Sequence, residues 1–457
     1  MSSAATRYEP AEESPARHRH SVSETIIRYA LIIGVMLTPF MMWRFHPDIQ
    51  FTLSDGCFLM AALLATASGR LNLKPFADMS PWWLFSFCLM LFALGASSLV
   101  NGDPIRFTIT GSQYVFAYLA LPFLLFAGTW KDEILLAKFF VAAVVAAEAF
   151  SVALFYYYGE NHASAAWINQ DFITGAGRLG SFTASANRNA ALISLTLPFV
   201  LYFAKMRLVP LWICLVSAAI LMLALVLTAS VTGFVSSIAA ILIFALASYG
   251  WRAWKPISAA VGVLILAFSA GLPIPDTFEE RVLSAFETGD ISEAGTYGGR
   301  MQLIEEAWQL SDNTHLLGIG ADQFRSISVQ GAPVHNIILL IWTEGGMFAL
   351  LGWTLAMGIL ALIALRTIKY DKAAAALALS VALSFFIISN ASTHVYARLW
   401  VVPILIATRF AVTATLNAQR QAREQREVAP PTAAGRHARP MTPHSDRHSL
   451  SNVRSRP

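Results

Sequence analysis

The sequence predicts an all-α membrane protein, with about twelve transmembrane helices and one large, partly helical loop on the outer side. Two compositional observations and one positional one predict it. Hydrophobic residues fill 56% of the 457 positions and charged residues only 13%, where a soluble domain carries about a quarter charged. The apolar residues run in blocks from residue 25 to beyond 410, with polar breaks of a few residues in most places. Every lysine falls on one side of the chain traced through those blocks. The length would suit about three soluble domains, but this patterning excludes them in favour of one polytopic domain over 25–416.

A spanning helix needs about 20 mainly apolar residues. The first block, 25–43, follows a long polar leader from Met1 to Ser23 and has no small-residue cleavage site after Trp43. It therefore reads as a retained span rather than a signal peptide, leaving 1–24 as a cytoplasmic tail. Spans two to five follow at 51–67, 81–100, 108–129 and 134–158, and a longer connector occupies 159–186. Spans six to nine fall at 187–204, 210–229, 231–249 and 255–271, before the 63-residue stretch 272–334. Spans ten to twelve lie at 335–364, 372–390 and 394–416. From 411 onward eight arginines face only Glu424, Glu427 and Asp446, so this end contributes +5 of the net +4 and the rest is close to neutral. With almost no large apolar residue after Leu416, 417–457 reads as a disordered basic tail, suited to anionic membrane lipids of the inner leaflet and not to nucleic acid. Cys57, Cys88 and Cys214 sit inside apolar blocks, which leaves no extramembrane disulfide framework.

Lys and Arg near span ends are held on the cytoplasmic side. With both termini inside, the inner loops and span ends carry Arg70, Lys74, Lys131, Lys138, Lys205, Arg207, Arg252, Lys255, Arg366, Lys369 and Lys372, whereas the short outer loops carry Arg44, Arg106 and Arg398. The two long connectors then lie outside. Loops beyond about 15 residues are functional or disordered, and these carry aromatics and paired glycines. Over Met301–Leu310 the apolar Met301, Ile304 and Trp308 recur at helical spacing, with Gly298-Gly299 just ahead suiting a sharp turn into a helix lying over the membrane.

The outer side thus has no lysine but eight arginines: Arg44, Arg106, Arg178, Arg188, Arg281, Arg300, Arg325 and Arg398. Arginine makes planar, bidentate contacts with phosphate or carboxylate and keeps its charge when partly desolvated. The plain alternative is pairing with the ten acids of 272–334. Arg178 and Arg188 resist that reading, since Glu160 and Asp171 are the only acids of their connector. His335 and Asn336 stand where the large loop meets span ten. An imidazole there can serve as a general base or simply cap the helix end. Glu344, about 14 Å further along a helix, and Glu148 in span five are intramembrane carboxylates, functional by default or hydrogen-bonded between helices. The outer histidines lack metal-ligand spacing, no Asp-x-Asp pair appears, and neither a Walker loop nor a nucleophile elbow is present. The site residues are assigned no metal and no cofactor.

Three stretches resemble the O-antigen ligase and polysaccharide polymerase superfamily of bacterial inner-membrane glycosyltransferases. They are Gly177-Arg178-Leu179-Gly180-Ser181-Phe182 with Asn187-Arg188-Asn189-Ala190-Ala191; Gly299-Arg300 leading through Trp308 to Leu316-Leu317-Gly318-Ile319-Gly320-Ala321-Asp322-Gln323-Phe324; and His335-Asn336 with Glu344-Gly345. His315 stands where the family usually has proline. The resemblance covers roughly 160–360 in detail. It implies a donor glycan linked through pyrophosphate to undecaprenol, transferred to a hydroxyl on the periplasmic side without a metal. It assigns the pyrophosphate to Arg178, Arg300 and Arg188, the base to His335, and further substrate contacts to Asn336 and Glu344.

The family divides by acceptor: lipid A core for a ligase, a growing polysaccharide for an O-antigen or exopolysaccharide polymerase, a protein for a third kind. Some polymerases place glycine after an outer arginine and ten intervening residues. Here Arg178 leads to Asn189 and Arg300 to Ser311, which leans toward the ligase. A twelve-span transporter would match the composition equally, but transporters gather polar and broken-helix features at the midplane and show repeats. Here the unusual residues gather at the outer ends.

Overall fold

A computed structural model describes residues 22–428 apart from 47–48, 129, 160, 175, 254–275, 284–296 and 314. The chain divides into two compact units, 1–415 and 416–457, and the packing described below belongs to the first. Among the described residues nine helices are long and apolar enough to cross a membrane. They correspond to nine of the twelve expected blocks, so an all-α polytopic plan holds while the number twelve does not follow. Block 255–271 lies outside the described residues.

The first two blocks form shorter helices than expected, α1 (Val22–Met36) and α2 (Leu53–Ala67). Fifteen residues each extend about 22 Å, short of a hydrocarbon core of about 30 Å. Pro39 disfavours helical backbone at the residue before it, so α1 ends in a turn there. Residues expected to finish one span and begin the next form a short antiparallel hairpin instead, β1 (Arg44–His46) with β2 (Ile49–Thr52), a local exception within the all-α plan. Asp55 then starts α2 by accepting the Thr52 amide at 2.8 Å, a capping box.

The remaining helices follow in order. They are α3 (Ser80–Asn101), α4 (Pro104–Tyr114) continuing through a π-helical turn (Val115–Ala120) into α5 (Leu121–Leu125), α6 (Trp130–Tyr158), α7 (Ala186–Met206), α8 (Leu211–Thr228) and α9 (Val231–Tyr249). The π turn precedes Pro122, whose missing N–H interrupts the helical ladder. The large loop supplies α10 (Tyr297–Asn313), and α11 (Ile337–Thr367), α12 (Lys372–Ser389) and α13 (Arg398–Val428) complete the chain. The tail expected to be disordered from 417 begins as helix to Val428, because Ala418, Gln419, Arg420, Gln421, Ala422, Arg423 and Glu424 are good helix formers. Residues 429–457 lie outside the described residues.

Lipid is as apolar as leucine, so close packing and interhelical hydrogen bonds hold such a bundle together. Here α3 lies along α11, α9 along α12, and α7 against α8, α9 and α12. Trp83 donates its indole N–H to the Tyr118 carbonyl at 2.8 Å, and the Tyr118 hydroxyl donates to the Val395 carbonyl at 2.7 Å. Phe87 and Trp353 complete that aromatic knot. Ser194 of α7 bonds Ser237 of α9 at 2.8 Å. Two buried arginines are neutralised in place: Arg398 by Asp55, and Arg409 by Glu133.

The loop helix is longer than Met301–Leu310 and turned differently. Gly298 and Gly299 lie in its first turn rather than ahead of it. Leu303, Ala307 and Ser311 are buried, while Met301 and Trp308 are exposed. The Ser311 hydroxyl meets that of Thr343 at 2.8 Å, so the Leu303–Ala307–Ser311 face docks on α11, with the half-exposed Trp308 ring edge-on to Trp342 of that helix.

Candidate functional site: an arginine cluster beside His335

The helix that carries His335 is broken. Asn336 caps α11, its Oδ1 accepting the Leu339 amide at 3.1 Å, so His335 stands just outside the first turn. Further along, Gly346 has φ 72° and ψ −172°, a conformation essentially restricted to glycine. The break frees backbone groups that must find partners within the protein. The 315–320 stretch provides them: the Ile319 amide donates to the Thr343 carbonyl and the Gly320 amide to the Glu344 carbonyl, both at 2.9 Å, while the Met347 amide donates to the His315 carbonyl at 3.0 Å. Gly318 presses so closely on the Glu344–Gly345 backbone that a Cβ has no room. On the other face, Ser97 and Ser98 of α3 accept the Gly318 and Ala321 amides at 3.0 and 2.9 Å. The Leu-Leu-Gly-Ile-Gly stretch is thus a backbone wedge between α3 and α11.

Glu344 completes the wedge. Its side chain, 1% exposed, accepts the Asp322 amide at 2.8 Å and the Phe324 amide at 3.4 Å, with His394 Nε2 at 3.6 Å. Glu148 does similar work elsewhere. It accepts the Ser181 hydroxyl and the Asn189 side-chain amide, each at 3.0 Å, fastening the 177–189 block to α6. For both carboxylates the structure places the side chain in hydrogen bonds within the fold, as it does for Asn336.

The α8–α9 turn organises the arginines. The Leu179 amide donates to the Leu227 carbonyl and Arg178 Nε to the Thr228 carbonyl, both at 2.8 Å. Arg178 Nη2 reaches Asn187 Oδ1 at 2.8 Å, and Ser230 donates to that same oxygen at 3.2 Å. Phe278 packs on the same turn against Ala229 and Phe234, which delivers Arg281 three residues later. Arg300 lies in the first turns of α10. Glu306 of that helix accepts the Ser328 hydroxyl at 2.8 Å and the Val329 amide at 2.9 Å, so the segment leading to His335 is tied to the helix bearing Arg300.

The electrostatics link these groups. Burial and the charges of Arg281 and Arg300 push the Arg178 guanidinium down to about 10. Arg300 is lowered by burial and by Arg281. Burial, then Arg300, holds the His335 imidazole below its usual range, which favours the neutral base at pH 7. Among the described residues no carboxylate comes within ion-pair distance of Arg178 or Arg300, whereas Arg106 and Arg325 both pair with Asp322, at 3.5 and 2.6 Å, and Arg398 pairs with Asp55. The His335 ring makes no hydrogen bond to a described residue. Guanidinium groups such as those of Arg178 and Arg300, without an acid partner among the described residues and beside a neutral imidazole, can bind a multiply charged anion and accept a proton next to it.

Of the residues expected from the sequence, the structure brings together Arg178, Arg300 and His335. Arg281 joins them without having been singled out; only its place among the lysine-free outer arginines marked it. Arg188 belongs to a different neighbourhood, near Arg44, Tyr396 and Asp171.

Residues 216–354 match the family described as O-antigen ligase. The match takes in Arg300, His335, Asn336 and Glu344 and leaves Arg178 and Arg188 outside it. It shows the resemblance to the O-antigen ligase and polymerase superfamily over just under a third of the chain. With the apolar helices, an O-antigen ligase segment supports an integral membrane protein of ligase or glycosyltransferase type and points to the bacterial inner membrane. No curated protein matches the chain.

Proposed function

We propose that this chain is a membrane glycosyltransferase that moves a glycan from undecaprenyl pyrophosphate to a hydroxyl on the periplasmic side, with lipid A core as acceptor. The observation that carries the reading is the Arg178–Arg281–Arg300 cluster, in which Arg178 and Arg300 have no acid partner among the described residues, next to the His335 ring, which makes no hydrogen bond to a described residue. The acceptor oxygen attacks the anomeric carbon as the bond from that carbon to the phosphate oxygen breaks, its electron pair passing to the pyrophosphate. The guanidinium groups stabilise that developing charge from fixed positions. His335 takes the hydroxyl proton on a ring nitrogen. The O-antigen ligase match supports the ligase-or-polymerase class, and the choice of ligase over a polymerase that extends a polysaccharide on the same carrier rests on Asn189 and Ser311 standing where some polymerases have glycine.

Purified protein with an undecaprenyl-pyrophosphate glycan and an acceptor is expected to release undecaprenyl pyrophosphate, and His335→Ala to lower the rate at least about a hundredfold. Full activity in His335→Ala would remove the proposed base. In a deletion strain, long lipid-linked chains with bare core would mark a ligase, and single-repeat material a polymerase.

A further inference from the structure

Positive charge without an acid partner among the described residues recurs at a second place. The base of the hairpin is docked on the turn before α7: the Met42 amide donates to the Phe182 carbonyl at 3.2 Å, and the Phe40 and Phe182 rings sit 4.8 Å apart. This brings Arg44, just before the hairpin strand turns away, toward Arg188, the third residue of α7. Both are half-buried. Arg44 spends only Nε on the fold, donating to the Met41 carbonyl at 3.1 Å. The Arg188 side chain has neither a hydrogen bond nor an ion pair with any described residue. It also stands in the first turn of a helix, where a cation is disfavoured by the helix dipole, and the side chain of the N-cap Ser185 makes no capping bond.

Tyr396 supplies the third group. Its side chain is 7% exposed, its ring is stacked on His394 and edge-on to Tyr114, and its hydroxyl has no partner among the described residues. It lies within electrostatic reach of both arginines. Asp171 is the one acid that influences Arg188, from beyond ion-pair distance. Two half-buried guanidinium groups, Arg44 with only its Nε engaged and Arg188 with no hydrogen bond to a described residue, thus keep N–H donors available for an anion.

We infer that Arg44, Arg188 and Tyr396 form a second anion site, separate from the Arg178–Arg281–Arg300 cluster, which takes a phosphate ester carried by the acceptor. The identity of that ligand rests on the transferase reading; the existence of the site does not. A two-substrate reaction explains two such clusters: one for the pyrophosphate that leaves and one for a phosphate group on the molecule that receives. Arginine in both, with lysine in neither, matches oxygen anions recognised by geometry as well as charge.

The test is calorimetric titration of the full chain, in nanodiscs of zwitterionic lipid, with inorganic pyrophosphate. Wild type is expected to bind two equivalents and Arg178→Gln/Arg300→Gln to keep one. Adding Arg44→Gln and Arg188→Gln should weaken that remaining equivalent at least tenfold, while Arg44→Lys with native Arg188 retains it, showing that charge rather than folding is at stake. Glucose 1-phosphate as competitor, or phosphatidylglycerol introduced into the nanodisc, tells a sugar-borne phosphate from a lipid-borne one, and displacement by neither overturns the phosphate-ester assignment. A single equivalent that vanishes in Arg178→Gln/Arg300→Gln overturns the second site and leaves the donor reading standing. Binding lost with Arg44→Gln/Arg188→Gln but indifferent to Arg178 and Arg300 does the reverse.

Discussion

Replacing Glu344 with alanine should loosen the wedge between α3 and α11. The carboxyl accepts the Asp322 amide at 2.8 Å and the Phe324 amide at 3.4 Å. Leaving a buried N–H unsatisfied costs about 1–3 kcal/mol, the longer bond counting at the low end, and the vacated volume adds about 1 kcal/mol. The sum is about 3–5 kcal/mol. Asp322 has φ 57°, a left-handed conformation that costs a non-glycine residue about 1–2 kcal/mol. Freed from Glu344 it relaxes, and the pairing of Arg106 and Arg325 with its carboxylate goes with it. Glu344→Gln keeps one acceptor oxygen and loses about half as much. The measurement is hydrogen exchange at the 319–324 amides, with thermal unfolding of the same purified samples. Faster exchange confined first to that stretch, in the order alanine, glutamine, wild type, is expected. Wild-type protection of those amides in Glu344→Ala would refute the reasoning.

Three other outcomes follow from the same geometry. Gly346→Ala forces a side chain onto a glycine-only backbone, with its Cβ driven into the Leu316 carbonyl; a loss of about 3 kcal/mol or more should appear as a lower yield of monodisperse protein in size-exclusion chromatography. Asp55→Ala leaves the buried Arg398 uncompensated and should cost about 3–5 kcal/mol in thermal unfolding, whereas replacing both residues with apolar ones of similar volume should recover much of it. Arg178→Lys cannot keep the bonds to Thr228 and Asn187 together, so kcat/KM for glycan transfer should fall about tenfold or more with little change in unfolding temperature.

The spans were legible in the sequence because twenty apolar residues in a row have few other uses, and among the described residues nine of them stand as helices long and apolar enough to cross a membrane. What failed was local. Blocks 25–43 and 51–67 are apolar enough to read as spans, yet Pro39 and the Thr52–Asp55 cap cut them short around a hairpin that no alternation announced. Residue type and side put Arg178, Arg300 and His335 among the candidates, and the family resemblance singled them out. Their convergence could not be found this way, because it depends on Phe278 docking on the α8–α9 turn and on Glu306 holding 328–329. Asn336 and Glu344 carried the same family signal as the site residues, but their side chains are engaged in cap and wedge. A motif marks both the groups proposed to touch substrate and the groups that hold the backbone, and the hydrogen bonds separate them. Arg188 shows the converse: neighbouring Arg178 in sequence, it has different neighbours in space.

The central claim is that Arg300 and His335 act in one site, and the pH profile of undecaprenyl pyrophosphate release tests it most directly. A base works unprotonated, so the rate should be flat above the imidazole pKa and fall as pH drops through it. Burial and then Arg300 lower that pKa, which places the acid limb below the ordinary value of about 6.5. Arg300→Gln removes one of those two causes; the imidazole becomes more basic and the limb should move to higher pH, on a lower plateau. His335→Ala should abolish the limb altogether. An acid limb unmoved by Arg300→Gln, or still present in His335→Ala, would contradict the account.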